Sequence, residues 1–137
     1  MSLNFEHARE LMVKNQLRPN KIKEEVILNL FKTTPKEDFV PDNFKNTCYS
    51  DSNLTILQNR GYLKNLHLAQ IIDSARININ DKVLHVGGLT GYLSLIIAKM
   101  CEKLIILEEN EKIYLNLKKN LKNNNIKNAE LIKSDLN

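Results

Sequence analysis

The chain has 137 residues, 42% hydrophobic and 26% charged, with only 4 Gly and 3 Pro. That composition excludes disordered, collagenous and low-complexity classes and fits one globular domain or part of one. The net charge is +4, but 16 of the 20 basic residues are Lys spread along the chain, and no Arg cluster or aromatic platform accompanies them, which argues against a nucleic-acid partner. At this length folding buries roughly two-thirds of the surface of the unfolded chain, so a core needs neither disulfide nor metal. Cys48 and Cys101 stand outside any C-x-x-C pattern and read as buried free thiols of a reducing cytoplasm. With His7, His67 and His85 they have no metal-ligand spacing. The longest apolar runs, Leu95 to Ala98 and Leu104 to Leu107, fall far short of the ~20 residues of a membrane span. The start Met1-Ser2-Leu3-Asn4-Phe5-Glu6 lacks the layout of a secretion signal. A cytoplasmic protein is expected.

The first third reads as helices. Phe5, Ala8, Leu11 and Met12 form one stripe, which Pro19 ends near Leu17. Lys21 to Lys32 places Val26, Ile27, Leu30 and Phe31 on a second stripe. Thr34-Pro35-Lys36-Glu37 has the layout of a capping box with Pro at the first helical position. From Asn43 to Arg60 no period persists, and the stretch reads as loop with one short helix or strand. Helical period returns at Leu68, Ile71, Ile72 and Ala75, with Asn65 as the expected cap.

Then the character changes. Val83-Leu84-His85-Val86 reads as a strand buried on both faces of a parallel sheet. Gly87-Gly88-Leu89-Thr90-Gly91 follows, then a helix with a core stripe of Leu93, Ile96, Ile97 and Met100. Leu104 to Leu107 is a second strand ending in Glu108-Glu109; Ile113, Leu117 and Leu121 mark another helix; Ala129 to Lys133 is a third strand, with Ser134-Asp135 just past it. The expected fold class is α/β: N-terminal helices followed by a Rossmann-like βαβαβ unit with a three-stranded parallel sheet in the order 3-2-1. By motif content we divide the chain into a helical and loop segment, residues 1–60, and a cofactor-binding half, residues 61–137, of one domain.

A Gly-rich turn between strand and helix lets the backbone come close to a ligand, and the helix start behind it offers free N–H groups. Glu108, 21 residues after Gly87, has the spacing of an acid that accepts both hydroxyls of a ribose. Together they predict a site for an adenosine-containing cofactor. The alternative is that the glycines only make a tight turn and Glu108 is a solvated strand end.

Val83-Leu84-His85-Val86-Gly87-Gly88-Leu89-Thr90-Gly91-Tyr92 resembles the S-adenosylmethionine motif of the protein-L-isoaspartate O-methyltransferase family, usually V-L-E-I-G-T-G-S-G-Y. Phe5-x-x-Ala8-Arg9 to Gln16-Leu17-Arg18-Pro19, Pro35-Lys36-Glu37-Asp38-Phe39-Val40-Pro41 and Tyr49-x-Asp51 resemble that family's N-terminal segments. The chain looks most similar to its divergent branch common in alphaproteobacteria. The resemblance implies S-adenosyl-L-methionine as cofactor and isoaspartyl-containing proteins or peptides as partners. It places Gly87, Gly88, Thr90 and Gly91 around the cofactor, Glu108 on the ribose and Asp135 near the adenine amine; it singles out no catalytic residue.

Three positions depart from the pattern. His85 stands in place of an acid, and Leu89 in place of the central glycine, where a positive φ would strain it by roughly 1 to 2 kcal/mol. Leu63 stands in place of the serine of the substrate loop G-Q-T-I-S-Q-P, which falls on residues 59–65. A non-catalytic remnant or binding module that retains the fold is therefore the alternative function. A doubly wound sheet needs a second half after its third strand, so the chain is expected to be the front half of such a domain. Its first strand then becomes an edge, to be covered by the N-terminal helices, by a second chain in a homo-oligomer, or by further sequence.

Overall fold

A computed structural model describes residues 4–137, so the first three residues of the stretch read for a secretion signal lie outside the described residues. The chain forms two compact units, Met1–Arg76 and Ile77–Asn137. Compactness thus divides it later than motif content does.

In the first unit, α1 (Phe5–Met12) starts where the Asn4 side chain accepts the His7 N–H at 3.1 Å. It runs on through a π-helical turn, Val13–Leu17, and a 3-10 turn, Arg18–Asn20, before Lys21 at φ 71° reverses the chain. The helical path therefore passes Pro19, which sits within the first two positions of the 3-10 turn, where its missing N–H costs nothing. Helix α2 (Glu25–Thr33) buries Ile27, Leu28, Leu30 and Phe31. Val26, expected inside, is 63% exposed, and Leu28 takes its place, because the face that α2 turns to the core is centred on Ile27, Leu28 and Phe31. Pro35 precedes a 3-10 turn, Lys36–Phe39, that has no side-chain cap; the expected capping box does not form, for Glu37 is drawn elsewhere.

A second 3-10 turn, Asp42–Thr47, leads to a hairpin, β1 (Leu54–Leu57) and β2 (Arg60–Tyr62). A Cβ on Gly61 would lie 1.8 Å from the Leu54 carbonyl oxygen, so only glycine lets the two strands approach this closely. Helix α3 (Asn65–Ala75) ends at Arg76, φ 49°, and packs with α2 and the π-helical turn.

In the second unit, β3 (Lys82–Val86), α4 (Tyr92–Ala98), β4 (Lys103–Glu108), α5 (Glu111–Asn123) and β5 (Ala129–Lys133) alternate. The sheet order is β3-β4-β5, both pairings parallel, with Val83 opposite Leu104 and Leu104 opposite Ala129. This is the truncated Rossmann-like arrangement expected, with the first strand at an edge. Helix α4 packs on β4, and α5 on β4 and β5; Asn110 caps α5 by accepting the Ile113 N–H at 3.0 Å. Leu104, Ile106 and Leu117 are fully buried, each such side chain contributing roughly 1.5–3 kcal/mol.

The opposite face of the sheet differs. By register Leu84, Ile105, Val86, Leu107 and Ile132 share it, and Leu84 is 59% and Val86 51% exposed. The expectation that the first strand is buried on both faces is corrected: both helices of the unit pack on one side. No helix among the described residues is long and apolar enough to cross a membrane.

Candidate functional site

The turn after β3 is built from left-handed residues. Gly87 has φ 79°, Gly91 φ 99° and Leu89 φ 52°, the first two needing no Cβ penalty and the third carrying it. The Gly87 N–H donates to the Leu107 carbonyl at 2.8 Å, and the Gly88 N–H to the same oxygen at 3.2 Å. This pins the start of the loop to the end of β4. A Cβ on Gly88 would lie 2.4 Å from Ile106 Cγ2 and 2.8 Å from Leu117 Cδ2, so Gly88 is required by packing. Thr90 is buried, and its carbonyl accepts from Asn120 Nδ2 at 2.7 Å, tying the loop to α5.

Glu108 is fully buried at the tip of β4, not the solvated strand end of the alternative reading. Its Oε1 accepts the Leu89 N–H at 2.9 Å and its Oε2 the Asn110 N–H at 3.0 Å. The spacing of 21 residues thus brings acid and loop together. Asp135 is exposed just beyond β5, where the Ser134 N–H donates to the Glu108 carbonyl at 3.2 Å and the Leu136 N–H to Glu109 Oε2 at 3.2 Å.

His85 lies on the covered face of the sheet, and its Nδ1 is 2.7 Å from Ser94 Oγ. Burial pushes the imidazole down to about 4, against an opposing pull from the Glu108 charge. At neutral pH the ring is neutral, so it carries no charge of either sign toward the loop.

The N-terminal motif residues meet in a buried network within the first unit. Arg9 Nη1 donates to Glu37 Oε1 at 2.6 Å and to the Tyr49 hydroxyl at 3.2 Å; Tyr49 donates in turn to Glu37 Oε2. The Lys36 N–H reaches the same hydroxyl at 2.8 Å, and Gln16 donates to the Tyr49 carbonyl at 2.8 Å. Lys36 is fully buried; its Nζ donates to Asn65 Oδ1 at 2.7 Å and lies 5.7 Å from the centre of the Tyr62 ring. Desolvation lowers the ammonium to about 8. Asn65, expected as a helix cap, is instead the first residue of α3, and its amide also donates to the Cys48 carbonyl at 3.0 Å. Asp51 pairs with Lys64 at 3.6 Å. The sequence marked these positions only as a family pattern, and nothing in the local spacing of Lys36 and Glu37 shows that both side chains turn inward.

Both cysteines are free and buried, and burial pushes the Cys48 thiol up to about 12, which leaves it unreactive at neutral pH. Leu63, in the serine position of the substrate loop, is 41% exposed.

Comparison with known proteins gives a consistent result. The sequence matches the family model described as Protein-L-isoaspartate(D-aspartate) O-methyltransferase over residues 7–137. A protein-L-isoaspartate O-methyltransferase of Opitutus terrae is 28% identical over 74% of this chain and 44% of its own, and one of Herpetosiphon aurantiacus 25% identical over 98% and 60%. A solved structure of a protein-L-isoaspartate O-methyltransferase superposes with a TM-score of 0.78 at 20% identity, covering 93% of this chain and 42% of that one, which speaks for the fold. The chain spans about half the length of these relatives.

Proposed function

Because this chain belongs to the protein-L-isoaspartate(D-aspartate) O-methyltransferase family, we propose that it binds S-adenosyl-L-methionine at the ends of β3 and β4 and acts on isoaspartyl carboxylates of damaged proteins. The observation that carries this reading is the bond between Leu89 N–H and Glu108 Oε1, which joins the left-handed loop to the one fully buried carboxylate among the described residues.

The residues present fit such a cofactor in kind. A carboxylate offers about four acceptor sites, and the Glu108 oxygens, which accept the Leu89 and Asn110 N–H groups, would be the acceptors for two ribose hydroxyls. Gly87, Gly88, Thr90 and Gly91 would border the methionine part and Asp135 the adenine amine. Since Glu108 has no exposed surface, a ribose reaches it only when its surroundings give way, and the Leu89 segment is bonded to it directly. When bound, the cofactor supplies an electrophilic methyl group on a sulfonium. The acceptor carboxylate is already ionised, so no general base is required of the chain. Its residues contribute alignment and exclusion of water, and the neutral His85 adds no charge to the site. Two buried free thiols support a reducing, cytoplasmic setting.

A second reading, a binding module that kept the fold without the chemistry, is favoured by Leu89 at φ 52° and by the enclosed Glu108. Calorimetric titration with S-adenosylmethionine and S-adenosylhomocysteine, followed by a methyl-transfer assay on an isoaspartyl peptide, separates the two. Binding with turnover supports the enzyme; binding without turnover supports the module; no heat at millimolar ligand rejects the cofactor site.

A further inference from the structure

Lysine is almost never fully buried unless its ammonium is paired, yet Lys36 is fully buried at the first position of its 3-10 turn. An apolar side chain of the same length would fill that space without desolvating a charge. What the ammonium adds is direction, because its N–H groups must meet acceptors where these stand. It reaches both ends of one short segment. Its Nζ lies 5.7 Å from the ring centre of Tyr62, the last residue of β2, and donates to Oδ1 of Asn65, the first residue of α3, at 2.7 Å. Between them stand Leu63 and Lys64.

Other bonds fix the same segment. Asn65 Nδ2 donates to the Cys48 carbonyl at 3.0 Å, so the amide is oriented through its nitrogen as well as its oxygen. The Lys64 N–H donates to Asn53 Oδ1 at 2.8 Å, and its ammonium lies 3.6 Å from Asp51. Lys36 is anchored in turn, since its own N–H donates at 2.8 Å to the Tyr49 hydroxyl, which Arg9 and Glu37 also engage. A continuous run of bonded groups therefore leads from that cluster through Lys36 to residues 62–65, all of it within the first unit.

Residues 62–65 belong to the stretch, 59–65, that the family resemblance assigns to the substrate. Leu63 is 41% exposed there, and its side chain offers a carboxylate no donor. Whatever the segment offers an acceptor then comes from main-chain N–H groups and from the Lys64 cation, and the backbone of 62–65 decides where these point. We propose that Lys36 is a positioning residue for the acceptor: by holding the Tyr62 ring and the Asn65 amide at once, it sets the backbone of Leu63 and Lys64 against which an isoaspartyl chain is read. The inference rests on the reading that this family member acts on isoaspartyl carboxylates.

The test follows the Lys64 amide by hydrogen exchange in the 137-residue chain and the affinity for a fluorescent isoaspartyl peptide by anisotropy. Lys36→Met keeps the length of the side chain and removes its donors. It should speed exchange at Lys64 and weaken the peptide by about tenfold each, the worth of one hydrogen bond to a charged group. Amides within α2, such as that of Phe31, should keep their rates. Lys36→Arg keeps a cation with donors and should return both readouts to within about threefold of the parent. Asn65→Ala should act like Lys36→Met, and the two together no more than the larger alone. The proposal is overturned by exchange at Lys64 that ignores Lys36→Met, or by exchange that quickens equally throughout the first unit. Methionine and arginine variants that behave alike, full additivity of the Lys36 and Asn65 changes, or parental peptide affinity in Lys36→Met and Asn65→Ala would overturn it too. A parent chain that does not bind the peptide at all removes the acceptor reading itself, and this inference with it.

Discussion

Glu37, inside a 3-10 turn, and Glu108, at the tip of β4, are both buried acids, yet their partners differ in kind. Glu37 meets a guanidinium on one oxygen and a phenol on the other, and Arg9 in turn donates from Nε to the Lys32 carbonyl at 3.0 Å. Its charge is compensated within the unit, and the cluster ties together α1, α2 and the segment around Tyr49. Glu108 has two backbone N–H groups as hydrogen-bond partners, from Leu89 and Asn110. An acid paired with a fixed cation is committed to the fold, whereas the Glu108 oxygens hold the loop after β3 and the start of α5 to the end of β4. The contrast is between a carboxylate that ties helices together and one that ties turns to a strand, which is where the proposed cofactor site lies.

The largest effect should come from breaking the first cluster. Glu37→Ala leaves Arg9 buried without its carboxylate, and a loss of about 3–5 kcal/mol in urea unfolding is expected; a loss under 1 kcal/mol would show that Glu37 is not committed in this way. His85 sets the next effect. It gains a proton near 6.5 when unfolded but only near 4 when folded, so between those values the unfolded chain holds the extra proton. Stability from this group is therefore complete above about pH 6.5 and drains by about 3 kcal/mol as pH falls toward 4. Comparing His85→Gln with the parent at pH 7 and pH 4.5 should show a shallower decline in the variant.

Glu108→Gln keeps one oxygen but turns a donor toward a backbone N–H, which should cost about 1–3 kcal/mol, less than the change at Glu37. It should also abolish any calorimetric signal with S-adenosylmethionine; retained binding would remove Glu108 from the proposed site. The smallest effect is expected for Leu89→Gly, which relieves the left-handed backbone and opens the approach to Glu108. Affinity for S-adenosylhomocysteine should rise roughly tenfold, about 1.4 kcal/mol, and unchanged or weaker binding would show that Leu89 is no obstacle.

Much of the second unit was legible because each element there has one clear determinant. Ala129–Lys133 has the bounds expected from its apolar run, and Ile113, Leu117 and Leu121 are the buried residues of α5. What periodicity could not convey is which side of β3 is covered, since Val83 to Val86 is apolar on both faces whether one or two layers of helix are present. In the first unit, the hairpin escaped because four- and three-residue strands with Thr55 and Gly61 in them carry no clear alternation. The capping box misled because Glu37 had a stronger partner in Arg9, 28 residues away, and sequence spacing registers only local competitors. At the candidate site the meeting of loop and acid was readable from spacing, but the enclosure of Glu108 was not, because burial depends on three segments that converge only in the fold.

Gly88 sets the height of the loop over the sheet. With Ile106 Cγ2 2.4 Å and Leu117 Cδ2 2.8 Å from where its Cβ would stand, the loop rests closer to the sheet than any residue with a side chain would allow. A methyl group at that position would act as a spacer, lifting the turn and carrying the Leu89 amide off the Glu108 carboxylate. The height of the loop is thus metered by one absent carbon, and Gly88→Ala would change the spacing of loop and acid while leaving the polar groups of the turn as they are.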